Sequence, residues 1–189
     1  MFPGPVWQRA VRCCSTLLWA ALAAAALEAR PVSETAAAED GAALVPVTAA
    51  DILDVVRRSE SQAVLVNIWA TWCQPCVEEL PELLALRRDF RDRGFELLLV
   101  SADFDSELPQ VRAFLAGQGI DFPTYFKSEK DQAFINALSR DWSGALPASF
   151  LYGPAGELRQ FWQGQTTRAD LEQPIRELLR VNQNGSGKE

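Results

Sequence analysis

Two cysteines separated by two residues are the side chains of this sequence best suited to chemistry. Cys73 and Cys76 lie in the run Trp72-Cys73-Gln74-Pro75-Cys76. A disulfide between residues this close together closes almost no loop, so it would stabilise the folded chain little. The pair is better explained by reversible oxidation, in which a thiolate attacks a disulfide and a second thiol releases the product.

A zinc site is another use of the same spacing. A structural zinc ion needs four ligands from cysteine, histidine or carboxylate side chains. The chain has no histidine, and its other two cysteines, Cys13 and Cys14, lie in an N-terminal leader segment. We therefore predict that the pair holds no metal, and the sequence predicts no other cofactor.

The position of the motif favours Cys73 as the attacking sulfur. The apolar run Ala63–Trp69 predicts a strand that is buried on both faces, and the motif then opens a helix predicted over residues 75–92. Free backbone N–H groups and the helix dipole stabilise a thiolate at the start of a helix. Cys76, one turn into that helix, can attack the mixed disulfide on Cys73.

The rest of the chain alternates between helical and extended patterns. Helices are predicted from the cap Thr48-Ala-Ala-Asp51, over residues 107–116, from residues 128–131 and from residues 167–170, and strands over residues 95–100, 123–126, 149–152 and 158–162. The last two strands form an antiparallel hairpin, whereas the first two buried strands should be parallel. The pattern predicts an α/β fold with a mixed central sheet flanked by helices.

The first 30 residues read as a targeting segment. Arg9 and Arg12 precede an apolar run over residues 15–27, which small residues follow. A membrane-spanning helix needs roughly 20 apolar residues, so we predict a cleaved signal peptide, with an uncleaved signal anchor as the alternative. Either form implies export from the cytoplasm, and the anchor would tether the protein to a membrane.

The remaining chain is predicted to contain one domain. We expect a flexible linker over residues 31–47, a folded domain over residues 48–181 and a disordered tail over residues 182–189. Hydrophobic residues make up 48% of the chain, which suffices for a core without stabilising disulfides. The formal net charge of −7 argues against nucleic acid as a partner, because phosphate binding needs clustered lysine and arginine.

The stretch from Val66 to Pro81 resembles the active-site stretch of thioredoxins. It is more similar still to the membrane-associated and periplasmic thiol–disulfide reductases of the TlpA, ResA and cytochrome c maturation type. The resemblance covers most of residues 48–180 and implies a thioredoxin fold. It also implies a TlpA-type insertion after the second core strand, with an extra strand and helix within residues 101–145. Pro81 matches the proline that kinks the first long helix of this family.

The same resemblance suggests a substrate-binding surface. Pro147 matches the family's cis-proline, which packs against the cysteine pair and aligns the substrate backbone. Leu146 precedes that proline, and Trp72 precedes the nucleophile, so both are expected at the substrate surface.

A buried proton carrier is the second mechanistic feature that the resemblance implies. Thioredoxins have a buried aspartate on the strand before the motif, where this chain has Asn67, which cannot move a proton. Many proteins of the TlpA and ResA type share this change and have a glutamate three residues after the second cysteine, here Glu79. Glu79 is therefore expected to manage the proton of Cys76. The alternative is a solvated helix residue beside Glu78.

The direction of electron flow is inferred from the residues between the cysteines. Strong oxidants of this fold carry a histidine there, whereas Gln74-Pro75 resembles thioredoxin, which is a reductant. We expect a monomeric reductase of protein disulfides in the periplasm or cell envelope, recharged by a membrane thiol carrier of the DsbD or CcdA type. By resemblance, its substrates are the haem-binding cysteines of an apocytochrome c or the copper-site cysteines of respiratory assembly proteins.

Other functions share this fold. A disulfide donor or isomerase would use the same cysteines in the opposite direction. A thiol peroxidase needs a cysteine primed for peroxide, and Thr71 lies two residues before Cys73 in a context that does not fit. A copper chaperone of the Sco type needs a histidine. A non-catalytic binding module would have no reason to keep Cys73, Cys76 and Pro147 together.

Overall fold

The computed structural model describes residues 43–183, which form six β-strands and five α-helices. In chain order the elements are β1 (Leu44–Val47), α1 (Ala49–Arg58), β2 (Ala63–Trp69), α2 (Gln74–Phe90), β3 (Phe95–Ser101), α3 (Leu108–Gly117), β4 (Thr124–Lys127), α4 (Asp131–Leu138), β5 (Ala148–Tyr152), β6 (Leu158–Gln163) and α5 (Arg168–Gln183). Short 3-10 helices follow α2 and precede α3, at Arg91–Arg93 and Asp105–Glu107. The predicted signal peptide, most of the predicted linker and the end of the predicted tail lie outside the described residues.

The strands form one mixed sheet in the order β1-β4-β3-β2-β5-β6. β2 lies at its centre, parallel to β3 and antiparallel to β5, and β5 pairs with β6 as an antiparallel hairpin. β4 pairs in parallel with both β3 and β1. The predicted mixed sheet flanked by helices is therefore confirmed. Residues 101–145 contain β4 and α4 in addition to α3, which agrees with the expected insertion.

Two apolar cores cover the faces of the sheet, and β2 contributes to both. Leu65 and Trp69 pack with α2, α3 and α5, whereas Val64, Val66 and Ile68 pack with α1 and α4 on the opposite face. This alternation follows from the two-residue period of a strand. Over residues 43–183 the structure contains no helix with the length and apolar character needed to cross a membrane.

The first strand corrects the predicted linker. Residues 31–47 were predicted to be a tether, yet Leu44–Val47 pairs with β4 and extends the folded domain by one strand. Leu44 and Val47 are buried, whereas the two residues between them are exposed. Two buried side chains in four residues are too short a pattern to predict a strand, and the partner strand lies far along the chain.

Of the predicted helix caps, the one at α1 is present and the one at α4 is not. Thr48 and Asp51 form the expected capping box, in which the backbone N–H of Thr48 donates to Asp51 at 2.9 Å and that of Asp51 donates to the Thr48 hydroxyl oxygen at 3.2 Å. The cap expected from residues 128–131 is wrong, because α4 begins after Lys130 without a capping side chain. The backbone N–H of Ser128 instead donates to β1.

The last helix is longer than predicted. α5 starts directly after Thr167 and continues through Pro174, which lies inside the helix. It also includes Asn182 and Gln183, which were assigned to the disordered tail. Polar residues add no apolar periodicity, so the pattern could not indicate that the helix continues through them.

Candidate active site

The two cysteines form a disulfide at the start of α2. Their Cα atoms are 5.3 Å apart, and Cys73 is the N-cap residue of the helix. The backbone N–H groups of Cys76 and Val77 donate to the carbonyl oxygen of Cys73 at 3.0 and 3.1 Å. Pro75 lies in the first turn, where its missing N–H removes no helix hydrogen bond. Cys73 is 6% exposed and Cys76 is 1% exposed, so Cys73 is the more accessible residue.

The turn that leads into α2 is held by a buried aspartate. The backbone N–H of Cys73 donates to the carbonyl oxygen of Ala70 at 3.2 Å, which closes the turn. Within it, the backbone N–H of Thr71 donates to both carboxylate oxygens of Asp103 at 3.0 and 3.1 Å, and the Thr71 hydroxyl donates to the same carboxylate. The hydroxyl of Ser101 donates to Asp103 Oδ2 at 2.7 Å.

No motif in the sequence predicts a role for Asp103. The one feature that could have indicated it is a polar pair, Ser101 and Asp103, at the carboxyl end of a buried strand. Functional groups often lie at this edge of a parallel sheet. Only the pairing of β2 with β3 brings that edge next to the cysteine turn.

The carboxylate of Glu79 is buried beneath the site. Glu79 is 2% exposed and lies three residues after Cys76, on the same buried face of α2. Its Oε1 accepts a hydrogen bond of 2.8 Å from Asn67, and its Oε2 accepts bonds of 2.9 and 3.1 Å from the backbone N–H and hydroxyl of Thr166. The alternative of a solvated helix residue is therefore wrong for Glu79, although it describes the exposed Glu78.

Burial gives Glu79 an unusual affinity for a proton. Loss of solvation raises the pKa of Glu79 above its ordinary value of 4.5, and the hydrogen bonds from Thr166 and Asn67 oppose that shift. A polar cavity of about 380 Å³, lined by Glu79, Glu82 and Arg168 among others, connects this carboxylate with the surface. The buried carboxylate therefore lies on the wall of a polar cavity and is not enclosed by apolar side chains alone.

Asn67 joins three elements around the carboxylate. It is 1% exposed, and its Nδ2 donates both to Glu79 and to the hydroxyl oxygen of Ser149 at 3.0 Å, which links β2, α2 and β5. Its buried Oδ1 has no hydrogen-bond partner among residues 43–183. If the amide rotates by half a turn, Oδ1 faces Glu79 and can accept a hydrogen bond from the protonated carboxyl group.

The proline expected at the substrate surface lies in the loop before β5. The Leu146–Pro147 peptide bond is cis, as the resemblance implies. The antiparallel register pairs Ile68 with Ala148, so Pro147 lies at the end of β2 from which the cysteine turn departs. The carbonyl oxygen of Pro147 accepts a hydrogen bond of 2.8 Å from Gly164.

An open groove of about 250 Å³ lies beside the cysteine turn. Trp72 and Phe104, which are 58% and 68% exposed, line it together with Leu146. Lys127 and Asp131, also part of the lining, neutralise each other in an ion pair of 2.7 Å. The other lining residues are mostly apolar: Ile68, Ala102, Phe134, Ile135, Trp142 and Gly144.

The groove is lined by Trp72 and Leu146, which the sequence predicts at the substrate surface, and by Phe104, for which the sequence predicts no role. Trp142 forms part of the wall, and its indole N–H donates to Ala145 at 2.9 Å. For metals, no group of three or more potential ligands occurs in the part of the chain that the structure describes.

Comparison with known proteins gives a family and a set of relatives. The AhpC/TSA family model matches residues 43–161. The thioredoxin-like protein YneN of Bacillus subtilis (strain 168) is 28% identical over 120 residues, which are 62% of this chain and 65% of that protein. Thiol-disulfide oxidoreductase ResA of Geobacillus kaustophilus is 30% identical over 117 residues, which are 62% of this chain and 63% of that protein. The match thus spans less than two thirds of either relative.

The fold recurs among solved structures. A thiol:disulfide interchange protein of the thioredoxin family from Chlorobium tepidum TLS has a TM-score of 0.55 and 24% sequence identity. The superposition covers 73% of this chain and 97% of that one. At this level of identity the likeness establishes the shared thioredoxin fold.

Proposed function

This chain belongs to the AhpC/TSA family, and we propose that it is a thiol–disulfide oxidoreductase that reduces disulfides in protein substrates. The observation that carries the proposal is the Cys73–Cys76 disulfide at the first turn of α2, with Cys73 the more accessible residue. The cis-proline Pro147, at the adjoining end of β2, supports the same activity.

The reaction consists of two thiol–disulfide exchanges. The Cys73 thiolate attacks one sulfur of the substrate disulfide, which breaks that bond, forms a mixed disulfide and releases the first substrate thiolate. Cys76, after losing its proton, attacks the Cys73 sulfur, which forms the Cys73–Cys76 disulfide and releases the second substrate thiolate. Two electrons pass from the cysteine pair to the substrate, and the two substrate thiolates take up protons.

Glu79 is proposed to accept the proton of Cys76 before the second exchange. The two side chains share the buried face of α2, and burial raises the pKa of Glu79, which makes its carboxylate a stronger base for the proton of Cys76. The polar cavity beside Glu79 supports a route for that proton to solvent.

The substrate polypeptide is proposed to lie across Trp72, Leu146 and Pro147 and to extend into the groove. Trp72 directly precedes Cys73, is exposed and lines the groove, so it lies where a chain bonded to Cys73 can contact it. The aromatic rim and the internally paired Lys127 favour an uncharged, apolar side chain close to the substrate cysteine.

Reduction is the proposed direction, because Gln74-Pro75 between the cysteines resembles thioredoxin. The oxidised protein then needs electrons from a partner, which we propose to be a membrane thiol carrier of the DsbD or CcdA type. The leader pattern supports export to the periplasm or cell envelope, with either a cleaved or a tethered N-terminus. Maturation of c-type cytochromes or of respiratory copper sites is the proposed setting, and the protein is proposed to act as a monomer.

Reduction of insulin disulfides with dithiothreitol as electron donor tests the activity. The wild-type protein should accelerate the reaction, and the Cys73→Ala variant should not. When the reduced Cys76→Ala variant is mixed with insulin in the absence of dithiothreitol, it should accumulate a mixed disulfide that later addition of dithiothreitol releases. If the wild-type protein gives no acceleration, the proposed reductase activity is refuted, which is the result that a non-catalytic module would give.

Two further measurements separate the alternatives of the same fold. A reduction potential near the thioredoxin value of about −270 mV supports a reductase, and one near about −120 mV supports a disulfide donor or isomerase. Consumption of hydrogen peroxide with dithiothreitol tests for a peroxidase. We expect none above the background of free thiols, because the Thr71 hydroxyl is bonded to Asp103.

A further inference from the structure

We infer that Asp103 is a positioning residue for the reaction at Cys73 and acts through Thr71. The inference deepens the proposed function and rests on it, because it concerns the rate at which Cys73 exchanges disulfides. Asp103 lies outside the Cys-X-X-Cys motif, 27 residues after Cys76 in the sequence.

The sheet brings Asp103 to the cysteine turn. β2 and β3 run in parallel, and their register pairs Trp69 with Ser101 at the ends of the two strands. The backbone N–H of Ala102 donates to the carbonyl oxygen of Trp69 at 2.7 Å, which extends the contact beyond the strands. The next residue of the chain is Asp103, and its side chain reaches Thr71.

The hydrogen bonds require a carboxylate at this position. Asp103 is 2% exposed and accepts from the N–H and the hydroxyl of Thr71 and from the hydroxyl of Ser101. Its own backbone N–H donates to the Ser101 oxygen at 3.1 Å. An asparagine has the same shape, but it offers one acceptor oxygen and would direct an NH₂ group at a donor. The three donors around Asp103 therefore fit a carboxylate, whose oxygens accept hydrogen bonds and donate none.

Thr71 links Asp103 to the turn that contains the nucleophile Cys73. It is the second residue of the turn that the Cys73 N–H closes on Ala70, and Asp103 holds both its backbone and its side chain. Fixing Thr71 limits the orientations of Trp72 and Cys73, which follow it directly. Thiolate attack needs the sulfur aligned with the substrate S–S bond, so a turn that is already ordered avoids much of the cost of alignment.

Four single variants test this role. Asp103→Asn and Thr71→Val remove parts of the contact, Thr71→Ser keeps the hydroxyl, and Asp105→Asn makes the same charge change at an exposed position nearby. Each protein is reduced, and the rate constant of its reaction with oxidised glutathione is measured across pH. The plateau at high pH reports the reactivity of the thiolate itself, and thermal unfolding of the same samples reports the folded fraction.

We expect the plateau rate constant to fall about tenfold in Asp103→Asn and somewhat less in Thr71→Val. Thr71→Ser should keep the plateau rate constant within about twofold of the wild-type value, and Asp105→Asn should match wild type. Neither variant loses a hydrogen bond of the turn. The double variant of Asp103→Asn and Thr71→Val should be no slower than Asp103→Asn alone.

A purely structural role for Asp103 predicts a different result. In that case the variants unfold at lower temperature, but the folded protein keeps the wild-type plateau, and this outcome would overturn the inference. If Asp103→Asn does not fold, Thr71→Val decides, because valine has nearly the shape of threonine. Failure of insulin reduction by wild type would refute the proposed function instead, since the glutathione reaction needs no protein substrate.

Discussion

The amide nitrogen of Asn67 donates a 2.8 Å hydrogen bond to the buried carboxylate of Glu79. This bond joins the central strand of the sheet to the helix that carries both cysteines. Thr166, in the loop between β6 and α5, donates to the other carboxylate oxygen, so Glu79 is held from both sides. These hydrogen bonds hold the carboxylate in one orientation. The pKa of Glu79 is therefore determined by its buried surroundings and by the residues that donate to it.

Replacing Glu79 should slow the second exchange. Glu79→Gln keeps the shape of the side chain but cannot take the proton of Cys76, so we expect kcat for insulin reduction to fall about 100-fold. Alkylation of Cys73 by iodoacetamide should stay close to wild type. The exposed Glu78→Gln is the matched control and should retain its activity. An equal loss in both variants would contradict the role of Glu79.

The stability of the protein should depend on pH through the same residue. Because burial raises the pKa of Glu79, the folded state keeps this proton to higher pH than the unfolded chain does. The stabilisation by the protonated group is complete below the ordinary pKa of 4.5 and is lost as pH rises through the raised pKa. The wild-type free energy of unfolding therefore contains a term that decreases with pH in this window.

Glu79→Gln removes that term. The free energy of unfolding of the variant minus that of wild type, measured with urea, should increase as the pH rises above the ordinary pKa of 4.5 and level off above the raised pKa of Glu79. Glu78→Gln should give no such trend. A difference that stays constant or decreases with pH would show that the folded-state pKa of Glu79 is not raised.

The groove should select substrates by the residue next to their cysteine. Phe104 is 68% exposed, so Phe104→Ala should leave the fold intact while removing one aromatic wall. For disulfide-linked peptides with a tryptophan or phenylalanine near the cysteine, we expect KM to rise about tenfold. Matched alanine peptides should be unaffected. Leu158→Ala, an exposed residue on β6, is the control, and an equal effect there would argue against the groove.

The first strand should contribute measurably to stability. Val47 is 3% exposed, and Val47→Ala removes two buried methyl groups, so we expect a loss of about 2 kcal/mol in the free energy of unfolding. Val45→Ala on the same strand is the control, because Val45 is 39% exposed and should change stability little. Urea denaturation of both variants measures the difference. Equal stabilities would mean that the strand is dispensable and that the linker prediction was adequate.

Local sequence patterns predicted the parts of the fold that depend on neighbouring residues. The buried strand Ala63–Trp69, the helix that follows Cys73 and the capping box of Thr48 and Asp51 were all predicted, and each depends on short-range contacts. The resemblance around the motif added the cis-proline and a special role for Glu79, whose burial the structure then revealed.

The reactive pair and the local scaffold around it are predictable from the sequence alone, because a Cys-X-X-Cys between a buried strand and a helix start is a short-range property. The distant residues that surround the pair become apparent only in the folded structure. Asp103 reaches Thr71 through the pairing of two parallel strands, and Thr166 reaches Glu79 from the loop before the last helix. Contacts of this kind depend on strand order and register, which are set by the packing of the whole sheet and leave no periodic signal in the sequence.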